Sequence, residues 1–130
     1  MHRKDHIDRK SKWILRYFGF LMDDYGMKFA VQTFHQYAGF SGPIYVYSFY
    51  NENGCFSFHY IVQRDEWGWY TSKNFSNQQN ELMEQEINQK QYLNQSYNSI
   101  KSALLDLSEK LKAEIADKGS VFGIQLRNQV

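Results

Sequence analysis

The sequence predicts a small α+β domain: an N-terminal helix, a four-stranded antiparallel meander and a long C-terminal helix packed on the sheet. Two observations carry the sheet and the helices. Ile44 to Gln63 reads as two arms rich in aromatic and β-branched residues, joined by Asn51-Glu52-Asn53-Gly54. Such residues favour the pleated backbone, and Asn-Gly supplies the positive φ angles of a tight hairpin. On either side, over Ser11–Tyr25 and Ser99–Lys118, apolar residues recur every three or four positions, which is the helical period. A third observation sets the scale. The chain has 130 residues, the size of one domain, and can bury a core without staples.

Met1 to Lys12 is polar, with Arg3, Lys4, Arg9, Lys10 and Lys12 broken by Asp5 and Asp8. Residues 1–10 are expected to form a flexible basic arm. The first helix is expected from Ser11, its N-cap, with Trp13, Ile14, Tyr17, Phe18, Leu21 and Tyr25 on one face, widened by Phe20 and Met22. Asp23-Asp24-Tyr25-Gly26 ends it, with Gly26 as the left-handed cap. Met27 to Tyr37 alternates as a half-buried strand. Ala38 to Pro43 is a loop by its Gly and Pro, and Pro43 starts the next strand, where its missing N–H costs little.

In the hairpin, Tyr45, Tyr47 and Phe49 share one face and Ile44, Val46, Ser48 and Tyr50 the other. On the second arm Phe56, Phe58, Tyr60 and Val62 oppose Cys55, Ser57, His59 and Ile61. Both faces carry apolar bulk, so helices on one side are expected to leave aromatic surface on the other. Arg64 to Gly68 is a second turn, leading to a short strand at Trp69-Tyr70-Thr71. Residues 72–98 are rich in Asn and Gln. Ser76 and Gln79 have capping-box spacing, which predicts a short helix from Glu81 to Ile87. In the last helix Ile100, Ala103, Leu104, Leu107, Leu111 and Ile115 form a stripe. Asp106–Lys110 and Glu114–Lys118 are favourable i,i+4 pairs, and Gly119 closes the helix. Val121 to Leu126 predicts one more short strand.

A formal net charge of +1 gives no global field toward nucleic acid or membrane. No apolar run approaches the roughly 18 residues of a membrane span, and no apolar segment follows the early basic residues as in a signal peptide. Cys55 is the only cysteine, so no intrachain disulfide forms. This composition suits a reducing, cytoplasmic setting.

Candidate chemistry is thin. His2 and His6 are four apart but lack a third ligand. Asp23 and Asp24 sit at a helix end, where surface charge is the simpler account. Cys55 and His59 share a strand face, yet lie roughly 13 Å apart along an extended strand, too far for a nucleophile–base pair. No catalytic, metal or cofactor site is assigned. Asp65 and Glu66, flanked by Arg64 and Trp67, read as a charged, aromatic-tipped recognition loop, because Arg and Trp are strong anchors.

The run GPIYVYSFYNENGCFSFHYIVQRDEW, Gly42 to Trp67, resembles small uncharacterised bacterial proteins of Gram-positive genomes. The matching motifs are Tyr25-Gly26, Ser48-Phe49-Tyr50-Asn51, Gly54-Cys55-Phe56 and Gln63-Arg64 with Glu66-Trp67. The resemblance spans Tyr17 to about Phe75, roughly half the chain. Such proteins look like orphan immunity proteins encoded beside polymorphic or LXG-type toxins. The resemblance implies a non-enzymatic protein that binds a cognate toxin domain and blocks its active site. Together with the ten tyrosines, it places the expected partner surface at Tyr45, Tyr47, Trp67, Trp69 and Tyr70, with Arg64, Asp65 and Glu66 adding polar specificity. The alternative is a small-ligand or nucleic-acid module that stacks its ligand on an aromatic sheet. Against nucleic acid, the hairpin carries no Lys or Arg before Arg64. Homodimerisation through a strand edge is compatible with either.

Overall fold

The computed structural model describes residues 3–37, 40–72, 87–92 and 100–126. Their order is α1 (Arg3–Phe18), α2 (Phe20–Asp23), β1 (Lys28–Tyr37), β2 (Phe40–Asn51), β3 (Gly54–Ile61), β4 (Glu66–Ser72), β5 (Ile87–Tyr92), α3 (Ile100–Lys118), β6 (Ser120–Val121) and β7 (Ile124–Gln125). This is the expected α+β arrangement, with the antiparallel meander formed by β1 to β4. β5 adds a fifth strand beside β4, and β6–β7 form a separate two-stranded ribbon.

Helix α1 begins at Arg3, inside the stretch expected to be an arm, so Ser11 lies mid-helix and caps nothing. Its C-terminal part buries Ile14 and Phe18, and α2 buries Leu21. Met22, expected on the apolar face, is instead 38% exposed. The chain leaves α2 at Gly26, whose φ of +69° is the left-handed cap; its N–H donates to Met22 O at 3.0 Å. β1 follows directly.

The β2–β3 hairpin pairs Tyr45 with Tyr60, Tyr47 with Phe58, Phe49 with Phe56 and Asn51 with Gly54. Only Glu52 and Asn53 lie between the strands. Neither has positive φ; Gly54 does, at +157°. The turn is fixed instead by the Asn51 side chain, whose Oδ1 accepts from Asn53 N–H at 2.7 Å and Gly54 N–H at 3.2 Å. A Cβ on Gly54 would lie 2.8 Å from Ser72 O and 3.1 Å from Ile124 Cγ1. Gly54→Ala is therefore expected to cost ~1–3 kcal/mol, as overpacking does. A denaturant midpoint unchanged by this substitution would contradict that close approach.

One turn of 3₁₀ helix over Val62–Arg64 connects β3 to β4, closed by Asp65 at φ +47°. β4 starts at Glu66, opposite Ile61, so Trp67 is already a strand residue opposite Tyr60. The Glu81–Ile87 helix falls mostly outside the described residues; at its end, Ile87 opens β5, opposite Ser72.

Two apolar clusters lie on the two faces of the sheet. The larger one holds Tyr45, Tyr47, Phe49, Phe56, Phe58, Tyr60, Trp67 and Trp69 from the sheet. Ile14, Phe18 and Leu21 close it from α1 and α2, with Ala103, Leu104, Leu107 and Leu111 from α3, as the periodic stripe requires. Lys110 pairs with Asp106 at 3.1 Å, the expected i,i+4 contact. Glu114 accepts a hydrogen bond from Ser120 Oγ at 3.3 Å. Gly119, at φ +69°, donates its N–H to Ile115 O and ends α3 as expected.

The expected last strand is instead a hairpin. Phe122 and Gly123 both take positive φ, +48° and +98°, the demand of a type I′ turn. Phe122 stacks on Trp69 at 4.7 Å between ring centroids, a contact that offsets its unusual backbone. The smaller cluster, Phe34, Ile44, Val46, Ile61 and Tyr70, lies on the opposite face. Among the described residues, no helix is long and apolar enough to cross a membrane.

Candidate recognition cleft

Of the eight residues expected to form a partner surface, the five aromatic ones are buried. Tyr45, Tyr47, Trp67 and Trp69 are 0–4% exposed. They project from the face that α1 and α3 cover, so the densest aromatic surface is the core itself. Tyr47 stacks on Trp67 at 6.1 Å, and Tyr60 packs on Trp67 at 4.9 Å. Tyr70 lies on the opposite face, 1% exposed and stacked on His59. Of the polar three, the Arg64 side chain lies outside the described residues. Asp65 is exposed and Glu66 half-buried. Asp65 Oδ1 accepts the Tyr60 hydroxyl at 2.5 Å, which ties the loop to the core. Burial and that hydrogen bond push the Tyr60 phenol well above the ordinary tyrosine range.

Sequence reasoning missed Lys10. It is 7% exposed, buried on the helix-covered face. Its ammonium lies 4.1 Å from the Tyr60 ring centroid, 5.3 Å from Trp13 and 5.4 Å from Trp67. Three rings thus offer their negative faces to one cation. Burial lowers the Lys10 pKa from its ordinary value of 10.5; the Asp65 carboxylate opposes that shift and Arg9 adds to it. This box locks the N-terminal half of α1 to the β3–β4 turn.

On the opposite face Ser48, Ser57, Cys55, His59 and Ser72 are buried together across β2, β3 and β4. Ser48 and Ser57 share a hydrogen bond at 2.8 Å, and Cys55 Sγ lies 2.9 Å from Ser57 Oγ. Burial pushes the Cys55 thiol above its usual pKa, with the serine hydroxyls opposing the shift. A buried, protonated thiol is a structural group rather than an activated nucleophile. Among the described residues, no group of three His, Cys, Asp or Glu could hold a metal ion.

Among the described residues, two concave surfaces lie around Tyr25. The Gly26 cap turns the chain from α2 into β1 beside the tip of the β2–β3 hairpin. Between them is a cavity of about 360 Å³, lined by Tyr25, Gly26, Lys28, Tyr50, Asn51 and Glu52. A second cavity, of about 250 Å³, lies on the other side of Tyr25 against α3, lined by Phe20, Asp24, Lys112, Ile115 and Ala116. Tyr25 meets Phe20 edge-on at 6.5 Å, and Lys112 Nζ sits 5.1 Å from the Phe20 ring centroid. The hairpin tip is anchored by Asn51 and Asn53, whose side-chain amides both donate to Gln125 O, at 3.3 and 2.9 Å. Each cavity combines aromatic rings with one Lys and one carboxylate. Tyr25-Gly26 was legible as a helix end, but its role as the wall between two cavities depends on the distant hairpin tip and α3. Comparison of the chain with protein-family models, with curated proteins and with solved structures found no match.

Proposed function

We propose that this protein is an immunity protein, which binds a cognate bacterial toxin domain in the cytoplasm and blocks its active site without chemistry of its own. The observation that carries the recognition surface is the paired cleft at Tyr25. Half-buried aromatic residues are flanked by Lys28, Glu52, Lys112 and Asp24, an apolar centre with a charged rim of both signs. That composition characterises protein-recognition surfaces, where a few aromatic anchors contribute most of the affinity. The rest of the architecture supports a rigid binder: an aromatic sheet locked by two helices needs little ordering when it docks. The sequence resemblance to orphan immunity proteins points the same way. The mixed charge of the rim fits a toxin whose contact surface is itself mixed, rather than a uniformly basic nuclease.

Coexpression with the toxin domain encoded by a neighbouring gene tests this. The expected result is cell survival and copurification of a stable complex. Tyr25→Ala should weaken the complex by ~2 kcal/mol, about 30-fold, the scale of an aromatic anchor. Failure to protect against any neighbouring toxin domain would overturn the reading. Protection unaffected by Tyr25→Ala and Lys28→Glu would move the contact surface off the cleft.

A second reading keeps one specific support. A cavity of about 360 Å³ is large enough for a small ligand. Its discriminating observation is a thermal shift with a metabolite library that Tyr25→Ala abolishes. Base stacking on the sheet is disfavoured, because the rings that would stack are already covered by α1 and α3.

A further inference from the structure

We propose that the seam between α1 and α3 docks an amphipathic helix of a partner protein, one whose apolar stripe is flanked by carboxylates. This goes beyond the Tyr25 cleft and does not rest on the toxin reading. α1 packs against α3. The two run in the same direction, since Lys101 lies over Trp13 and Lys112 over Phe20. On α1 the row toward α3 is Arg9, Trp13, Arg16 and Phe20, at steps of four, three and four. Gly19 keeps Phe20 in that row: its φ and ψ of −59° and −21° are helical, and its N–H donates to Leu15 O at 2.8 Å. On α3 the row Lys101, Leu105, Ser108 and Lys112 repeats the same steps. Such steps hold side chains on one face of a helix. Cation and ring alternate along α1, and a lysine stands toward each end of α3.

The seam is open to solvent. Arg9, Arg16, Lys101 and Lys112 are exposed, Leu105 is 47% exposed, and Trp13 and Phe20 are half-buried. None of these four cations pairs with a carboxylate among the described residues. Instead Lys101 lies 5.2 Å from the Trp13 ring centroid, Lys112 5.1 Å from that of Phe20, and Arg16 5.9 Å from that of Tyr17. The carboxylates of α3 stand off the row: Asp106 pairs with Lys110, Glu114 accepts from Ser120, and Glu109 and Asp117 are exposed at other positions around the helix. At the far end, Asp24 shares the smaller cavity with Lys112. A net charge of +1 thus conceals a local cationic seam. Like charges gathered there repel, and carboxylates from a partner relieve that repulsion.

Two parallel helices leave a groove, which a third helix fills by packing its ridges into it. The rows are about 16 Å long, three helical turns. Apolar side chains of an incoming helix meet Trp13, Phe20 and Leu105. Carboxylates on its flanks meet Arg9 and Arg16 on one side, Lys101 and Lys112 on the other. A nucleic-acid strand fits less well, because lysines already lie over the Trp13 and Phe20 rings and leave less face for a base to stack on. A membrane surface fits less well too, because those half-buried rings lie beneath exposed cations instead of projecting past them.

Fluorescence anisotropy with the intact chain, and no toxin present, tests the proposal. The probe is a labelled, capped peptide of about four helical turns, with leucines at helical spacing and glutamates on both flanks. A second peptide has the same composition in scrambled order. The expected result is saturable binding of the first, weakening as salt rises, and about tenfold weaker binding of the scrambled peptide, which has lost the stripe. The double variant Arg16→Glu with Lys101→Glu should raise the Kd about tenfold, the combined effect of reversing two rim charges. Lys118→Glu, a reversal outside the rows, should change it by less than about twofold. If the double variant fails to fold, Leu105→Glu decides: it replaces an exposed side chain and should weaken binding of the first peptide alone. No saturable binding up to about 1 mM, equal binding of the two peptides, or equal effects of Lys118→Glu and the double variant would each overturn the proposal. So would tighter binding to an oligothymidylate or to phosphatidylserine vesicles than to the peptide.

Discussion

Phe18→Ala is expected to cost ~3–5 kcal/mol, the range for truncating a fully buried aromatic side chain. Phe18 is 0% exposed and touches three strand residues from one helix position. Its ring centroid lies 4.9 Å from that of Phe58, 5.8 Å from Phe56 and 6.5 Å from Phe49. Removing it opens a void where α1 meets the centre of β2 and β3. The neighbouring rings cannot collapse into that void, because their positions are fixed by strand pairing of Phe49 with Phe56 and Tyr47 with Phe58. A domain of this size holds only ~5–15 kcal/mol in total, so the loss takes much of its margin. The check is a urea titration, with a lower midpoint and an unchanged slope. Phe18→Leu, which keeps most of the volume, should cost less than about 1.5 kcal/mol. Equal losses for the two variants would show that packing volume is not what Phe18 supplies.

The hairpin, the C-terminal helix and both glycine caps were legible because each is written locally. Asn51 and Gly54 set a turn, the stripe from Ile100 to Ile115 sets a helix face, Gly26 ends α2 and Gly119 ends α3. What stayed hidden was relational. Alternation put Tyr45 and Tyr47 on one face of the first arm and Phe58 and Tyr60 on one face of the second, but both faces of the hairpin are apolar. Periodicity alone could not say which face the helices would cover. Tyr47 was expected on the partner surface, yet its Oη is fully buried and has no hydrogen-bond partner among the described residues. Burial pushes that phenol well above its ordinary pKa. β5 was missed for a different reason. Its sequence, Ile-Asn-Gln-Lys-Gln-Tyr, has no apolar alternation, and pairing with β4 defines the strand where side-chain pattern does not. The proposed cleft was hidden too, since its walls come from three places: the end of α2, the hairpin tip and α3.

These misses bear on function. With the aromatic residues consumed by the core, the proposed recognition falls to what surrounds it: Tyr25, Tyr50 and Phe20 at its margin, with the charges beside them. Affinity would then depend on how rigidly the core holds that margin. The Asn51 and Asn53 bonds to Gln125 matter in this sense. They join the hairpin tip to the C-terminal ribbon, and so fix one wall of the cavity against the rest of the fold.

Lys10→Glu is the second substitution expected to have a large effect, ~3–5 kcal/mol, the scale of a buried charge left without compensation. The native ammonium faces three aromatic rings and the field of Asp65. A carboxylate there would meet the negative faces of the same rings and repel Asp65, which already holds the Tyr60 hydroxyl. Lys10→Met separates charge from packing, because it keeps an unbranched chain of similar length in the box. Replacing a buried ion by an apolar chain of similar volume is often close to neutral, so this variant should stay within about 1 kcal/mol of the parent. The linkage sign gives a further check. A lysine with a depressed folded pKa binds fewer protons folded than unfolded. Its contribution therefore makes stability rise with pH from the folded pKa up to 10.5, the unfolded value. Above about pH 10 the raised Tyr47 and Tyr60 act oppositely, since the unfolded phenols lose protons that the folded ones keep. Lys10→Met should remove the rise and leave the fall. A stability–pH curve that keeps its rise in Lys10→Met would mean that another base, not the ammonium in the aromatic box, carries it.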